Sequence, residues 1–260
     1  MASVGRNQPH TGTALVTGAA KRIGRAIALD LGSRGWQIAV HYNTSGEAAA
    51  EVVAEIEAAG GRATAFAADL AGDGQAAALI PQVSRTLAPP TCLINNASIF
   101  ERDSLETVDN RSWDGHQAVN LRAPMVLTKA FAAALPAGTR GNVINLIDQR
   151  VLNQTPYFLS YTVSKAGLWA LTKATAMELA PGTRVNAIGP GPVLPSTRQS
   201  EQDFARQQAA TPLRRGPEPA EICAAVRFIL ETPSMTGQLI ALDGGQHLGW
   251  ATPGAGEPRE

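Results

Sequence analysis

Thr13–Gly35 reads TALVTGAAKRIGRAIALDLGSRG. Thr13 to Thr17, apolar or β-branched throughout, reads as a buried strand. Gly18 to Gly24 is a turn feeding a helix, whose apolar positions Ile23, Ile27, Ala28 and Leu31 recur at helical spacing. A strand, a glycine turn and a helix N-terminus in that order make an anion site, because free backbone N–H groups and the helix dipole both favour negative charge there. A lone glycine turn is weak evidence. Here it opens the first strand–helix unit of the chain, the context that such a motif requires.

The alternation continues outward. Trp36 to about Tyr42 is a second strand, and Glu47 through Ala59 an Ala-rich helix. ATAFAADL is a third strand ending at Asp69 and Leu70, and the helix from Gly72 to about Leu87 contains Pro81, which implies a kink or an early end. Cys92 to Ile94 form a fourth strand, followed by a long helix from Trp113 to about Ala134. NVINLI is a fifth strand ending at Asp148, and a helix carrying Tyr161 runs to about Leu179. Ala166, Ala170 and Ala174 on that helix suit close packing against another helix or against the chain's own sheet. Arg184 to Ile188 is a sixth strand, Pro217–Glu218 begin a helix through about Leu230, and GQLIALDGG holds the seventh strand. The GPGPVLPS segment keeps the backbone out of helix and sheet, and the polar stretch Val193 to about Pro212 reads as a mobile loop over a substrate, within a segment of about 190–216. The pattern implies one α/β domain over 12–251, a single Rossmann-type doubly wound seven-stranded parallel sheet flanked by helices. The ends, 1–11 and 252–260, read as flexible tails.

Composition narrows the function. Lys plus Arg equals Asp plus Glu at 22 each, which gives no electrostatic case for nucleic acid or an acidic membrane. Cys92 and Cys223 are too few for a disulfide framework or a zinc cage, and no metal is expected. No apolar run reaches membrane length, so a cytoplasmic enzyme is the expectation.

Tyr161 and Lys165 are four residues apart, which on a helix puts both on one face. An ammonium beside a phenol favours the phenolate, so the Tyr can give up its proton more easily. Asp148, 13 residues earlier, ends a buried strand. That spacing alone is common and could be an ordinary helix surface. At the end of the second strand stand His41, Tyr42, Asn43, Thr44 and Ser45, with no acid. A carboxylate there would hold the ribose hydroxyls of NAD and repel a 2′-phosphate, whereas hydroxyls and amides can donate to one. With Lys21 and Arg22 nearby, the site reads as NADP-binding.

These motifs, in this order, resemble the short-chain dehydrogenase/reductase family over nearly the whole chain. TGAAKRIG resembles its TGxxxGxG loop, with Arg22 in place of the middle glycine. The resemblance implies cofactor contacts at Gly18, Lys21, Arg22, Ile23, Gly24, Asp69, Leu70, Asn96, Ala97, Ser98, Tyr161, Lys165, Pro190, Gly191 and Val193. An isolated Asp at a strand end is more often a helix cap, and Asp69 could be both. It also implies that Asn120 holds a water linking Lys165 to solvent, and that the protein is a homotetramer. The usual Ser is Asp148 here, and NNAG is NNAS. TGAAKRIG, HYNTS, NNASIF, that Asp and GPVLP together resemble the pteridine reductase branch. Its usual basic residue in the HYxxS segment is missing, Asn43 and Thr44 being neutral. The branch implies that Phe100 stacks on a pterin, that Arg22 reaches the cofactor phosphate and the pterin, and that Ser98 and Leu194 line the substrate. Asp148, Tyr161, Lys165 and Asn120 would be the catalytic set.

Charge supports that branch. An ionised carboxylate about 4 Å from a developing oxyanion costs on the order of 4 kcal/mol at an effective dielectric of about 20, roughly a thousandfold in rate. The protonated nitrogen of a C=N bond is instead stabilised by it. The expectation is NADPH-dependent reduction of a pteridine C=N bond. A carbonyl reductase acting on a ketone or 3-oxoacyl group, or a catalytically silent NADP-binding sensor, remain as alternatives. His247, Leu248, Gly249 and Trp250 could reach a substrate pocket, this chain's or a neighbour's, and Trp250 could equally serve a core or an interface.

Overall fold

The structure, a computed structural model, describes residues 12–72, 74–196 and 198–249. Both expected tails and Trp250 lie outside them. Seven parallel strands form one sheet in the order β3-β2-β1-β4-β5-β6-β7. They are β1 (Thr13–Val16), β2 (Gln37–Tyr42), β3 (Arg62–Ala67), β4 (Pro90–Asn95), β5 (Gly141–Leu146), β6 (Thr183–Pro190) and β7 (Leu239–Leu242). The connecting helices are α1 (Arg22–Gly32), α2 (Gly46–Ala58), α3 (Gln75–Thr86), α4 (Asn110–Gln117), α5 (Ala123–Ala134), α6 (Leu159–Glu178), α7 (Glu201–Ala209) and α8 (Pro219–Glu231). The doubly wound seven-stranded sheet expected from the sequence is therefore present.

Successive strand side chains point to opposite faces. Val16, Ile38, Val40 and Ile94 pack with Ile27, Val52 and Val226 of α1, α2 and α8. Leu15, Ala39 and Leu93 pack with Leu79, Leu127 and Phe131 of α3 and α5 on the other face. With both faces covered, the strands read as apolar runs and not as alternation. The chain reverses direction across the sheet between β1 and β4, so a crevice opens at their carboxyl ends.

Several elements differ from the sequence reading, among them β3 and β5, which end at Ala67 and Leu146, short of Asp69 and Asp148. The helix read from Trp113 starts at Asn110, where the Asp109 carboxylate accepts from Ser112 N–H, and a π turn over Ala118–Arg122 separates α4 from α5. The third helix runs through Pro81, which costs it one hydrogen bond without ending it. Gly189 and Pro190 are not excluded from the sheet, because β6 continues through them and pairs with β7. The 193–212 stretch is not all loop. Ser200 caps α7 through its hydroxyl, and that polar helix buries no side chain, so no apolar stripe betrays it. On α6, Leu168, Thr172 and Ala176 are buried while Ala170 and Ala174 are exposed, so these two alanines do not face the sheet.

Candidate active site

The glycine turn after β1 is held from three sides. Gly18 has φ +62, and its N–H donates to His41 Nδ1 at 3.0 Å. His41 Nε2 faces the Ala68 carbonyl at 3.0 Å, so the ring is neutral, with its proton on Nε2. Burial pulls its pKa down and the Ala68 bond only partly offsets this. Asn96 Nδ2 donates to the carbonyls of Thr17 and Gly18 at 2.8 and 3.2 Å. A Cβ at Gly24 would lie 2.3 Å from Gly18 O and 2.5 Å from Asn96 Nδ2, so only glycine lets α1 approach. Arg22, standing where the family's loop has glycine, keeps a glycine-like φ of +56. Its guanidinium donates to Leu194 O (3.0 Å) and Pro195 O (2.6 Å), tying the turn to the segment after β6.

Across the crevice stand Asp148, Tyr161 and Lys165. Asp148 Oδ2 accepts the Tyr161 hydroxyl at 2.9 Å, and Oδ1 accepts Arg150 N–H at 2.8 Å. The second bond caps a short 3-10 turn, Gln149–Val151, and fixes the carboxylate's orientation. Lys165 is buried, donates to Leu146 O at 2.9 Å and lies 5.6 Å from the Tyr161 ring centre. Burial pulls its pKa down to about 8, against the raising effect of Asp148. Phe100 stacks on Phe158 with centroids 4.4 Å apart and planes 6° apart, and meets Tyr161 edge-on at 4.7 Å. The Arg150 guanidinium lies over both phenyl rings, 5.5 and 4.7 Å from their centres.

A cavity of about 500 Å³ joins these groups. It is lined by Gly18, Lys21, Arg22, Ile23, Gly24, His41, Asn43, Asp69, Leu70, Asn96, Ala97, Ser98, Phe100, Asp148, Tyr161, Lys165, Pro190, Gly191, Val193 and Leu194. Four sequence candidates do not line it. Tyr42 packs at the edge of the core. Thr44 is exposed, and Ser45 sits at the N-terminus of α2 without a capping bond. Asn120 is fully buried in the π turn. Its Oδ1 accepts Ile99 N–H and the Ser98 hydroxyl, while Nδ2 donates to Ile99 O and Ser164 Oγ. Asp69 accepts Ala71 N–H and does not cap α3, whose N-cap is Gly74. His247 is bonded to Asp243 and Leu248 is exposed, whereas Gln246 lines the cavity.

The sequence reading missed a buried network beneath Tyr161. Asp103 accepts from Ser112 Oγ at 2.7 Å, from Ser160 N–H at 3.1 Å and from Ser160 Oγ. His116 Nε2 accepts Glu101 N–H, and Nδ1 lies 2.8 Å from both Ser160 Oγ and Ser112 O. Burial would raise the Asp103 carboxyl, but the Ser160 and Ser112 bonds outweigh it and hold it below its usual range. The network fixes the start of α6 through Ser160, the residue immediately before Tyr161. Gln149 and Arg150, also on the cavity wall, adjoin Asp148 in sequence, and that adjacency was the one available signal.

A family profile described as Enoyl-(Acyl carrier protein) reductase matches residues 18–247. The 3-oxoacyl-[acyl-carrier-protein] reductase FabG of Staphylococcus aureus is 33% identical over 243 residues, 92% of this chain and 99% of the relative.

The chain belongs to the short-chain dehydrogenase/reductase family.

Among solved members of the family, FolM alternative dihydrofolate reductase 1 from Brucella canis, complexed with NADP, superposes with a TM-score of 0.92. It is 45% identical, with 97% of this chain and 100% of that chain covered. The angucycline C-6 ketoreductase LanV with bound NADP gives 0.85 at 30% identity, covering 93% and 97%. As a short-chain reductase this protein is an oxidoreductase, and among the described residues no helix is long and apolar enough to cross a membrane.

Proposed function

We propose that this reductase uses NADPH to reduce a C=N bond of a pteridine, of the dihydropterin, dihydromonapterin or dihydrofolate kind. The observation that carries the reading is the 2.9 Å bond from the Tyr161 hydroxyl to the Asp148 carboxylate. In a carbonyl reductase that hydroxyl must donate to the substrate oxygen. Here it donates to an anion that would itself repel the oxyanion formed. A nitrogen that gains a proton as hydride arrives reverses the sign of that interaction. Likeness to FolM at 45% identity supports the pteridine, and the NADP complexes of FolM and LanV support the cofactor.

The crevice residues fit a dinucleotide. The Gly18 turn and the N-terminus of α1 would take the phosphates, with Lys21 beside them. NADPH supplies the hydride. Lys165 would hold the nicotinamide ribose, and its ammonium favours the phenolate of Tyr161. The proton passes from Tyr161 to the substrate nitrogen, with Asp148 hydrogen-bonded to the same phenol as the second proton carrier. Phe100, backed by Phe158, presents a flat apolar wall to the ring. Asn120, its amide spent on the 98–99 backbone and Ser164, would act by holding that wall's loop in place.

NADPH oxidation with a panel of dihydropterins, dihydrofolate, simple ketones and a 3-oxoacyl thioester tests this reading. It predicts turnover of the pteridines. Turnover confined to the carbonyl compounds would establish the second reading, which likeness to FabG and LanV favours. Tight NADPH binding without turnover of any of them would leave a sensor.

A further inference from the structure

Phe100 and Tyr161 meet edge-on at 4.7 Å but stand on different elements, the loop after β4 and the helix α6. The backbone beside each is held by the same imidazole. His116 Nε2 accepts the N–H of Glu101, the residue after Phe100, at 3.1 Å. A backbone N–H only donates, so Nε2 carries the lone pair and Nδ1 the proton. Nδ1 lies 2.8 Å from Ser112 O and 2.8 Å from the Oγ of Ser160, the residue before Tyr161. Ser160 Oγ donates in turn to the Asp103 carboxylate, whose charge strengthens the bonds of the chain. The Asp103 carbonyl accepts Phe158 N–H at 2.8 Å, so the ring backing Phe100 hangs from the same network. α4 buries one residue, and it is this histidine. A buried imidazole is costlier than an apolar side chain unless both its nitrogens are bonded. Here both are, to the two segments that shape the site.

We infer that His116 is a positioning residue that sets the distance and angle between the Phe100 wall, on which the substrate ring lies, and the Tyr161 phenol, which delivers the proton. The inference rests on the roles proposed above for those two side chains and adds the group that holds them in register. His116 is fully buried and does not line the cavity, so it acts through Glu101 and Ser160 and not by touching a ligand. One ring nitrogen serves the substrate side and the other the proton side.

Two amide variants cut the tie one end at a time. His116→Gln can offer a carbonyl oxygen where Nε2 stood, and releases Ser160. His116→Asn can offer an amide N–H where Nδ1 stood, and leaves Glu101 N–H without its acceptor. The measurements are kcat and KM with a dihydropterin, the Kd for NADPH and the thermal midpoint. The inference predicts that the Gln variant loses roughly tenfold or more in kcat at nearly constant KM, because the start of α6 loosens. The Asn variant should raise KM roughly tenfold, because the Phe100 loop loosens. The Kd for NADPH should hold in both. Lowered midpoints with parental kcat and KM in both variants would overturn the inference, since a merely structural histidine gives that result. Loss of the same constant to the same extent in both would also overturn it. Nitrogen NMR of the parent imidazole reads the geometry without a substitution, even should neither variant fold. A proton on Nδ1 supports the assignment, and a proton on Nε2 overturns it. A parent that turned over ketones or the 3-oxoacyl thioester but no dihydropterin would overturn the pteridine reading instead. The same constants, taken on the compound it reduces, would then decide the role of His116.

Discussion

Removing the charge of Lys165 should stabilise the free protein while disabling it. Its ammonium is buried, and burial pulls its pKa from 10.5 to about 8. At about 1.4 kcal/mol for each factor of ten in proton affinity, that drop is about 3 kcal/mol. Between the two values the unfolded chain holds a proton that the folded chain has released, so stability rises with pH from about 8 to 10.5. Below about 8 both states are protonated and the whole penalty falls on the folded protein. Lys165→Met escapes it and loses the bond to Leu146 O, worth about 1 kcal/mol. The net gain at pH 7 is about 2 kcal/mol, a rise in Tm of about 4–8 °C for a chain of this size. Thermal unfolding of both proteins at pH 7 and pH 10, without ligand, reads this directly, and the gap should narrow at the higher pH. A variant less stable at pH 7, or a gap indifferent to pH, would refute the argument.

Arg22 holds a left-handed φ that a Cβ resists. Arg22→Gly and Arg22→Ala both cut the ties to Leu194 and Pro195, but only glycine relieves the backbone, so the Gly variant should be about 1 kcal/mol the more stable in urea unfolding. Asp103→Asn weakens the charged bonds at the start of α6 and should cost about 2 kcal/mol at pH 7. Because the folded carboxyl titrates below 3.8, its contribution is present above about pH 4 and is lost as pH falls further, so the two proteins should converge only in acid.

The sheet and the grouping of Asp148, Tyr161 and Lys165 were legible because they rest on local patterns. Apolar runs marked the strands, Gly18 and Gly24 marked the turn, and the four-residue step from Tyr161 to Lys165 survived folding unchanged. The segment after β6 was not legible, since α7 is a polar helix whose start depends on the Ser200 hydroxyl and not on an apolar stripe. His41 read as a cofactor contact from its place at a strand end. Its ring nitrogens turn out to be bonded to Gly18 and Ala68, partners 23 and 27 residues away. The Asp103, His116 and Ser160 network joins residues up to 57 positions apart, and no short window contains it. Asn120 read as part of the catalytic set from its place in a helix, but it lies off the cavity, buried in a π turn that no periodicity announces.

Asp148→Ser, assayed side by side with a dihydropterin and a simple ketone, tests the central claim most directly. Serine can still cap the 149–151 turn, so the change isolates the negative charge beside Tyr161. The account predicts that kcat/KM for the dihydropterin falls by roughly a hundredfold or more while ketone turnover holds or rises. Undiminished dihydropterin reduction by the serine variant would contradict it.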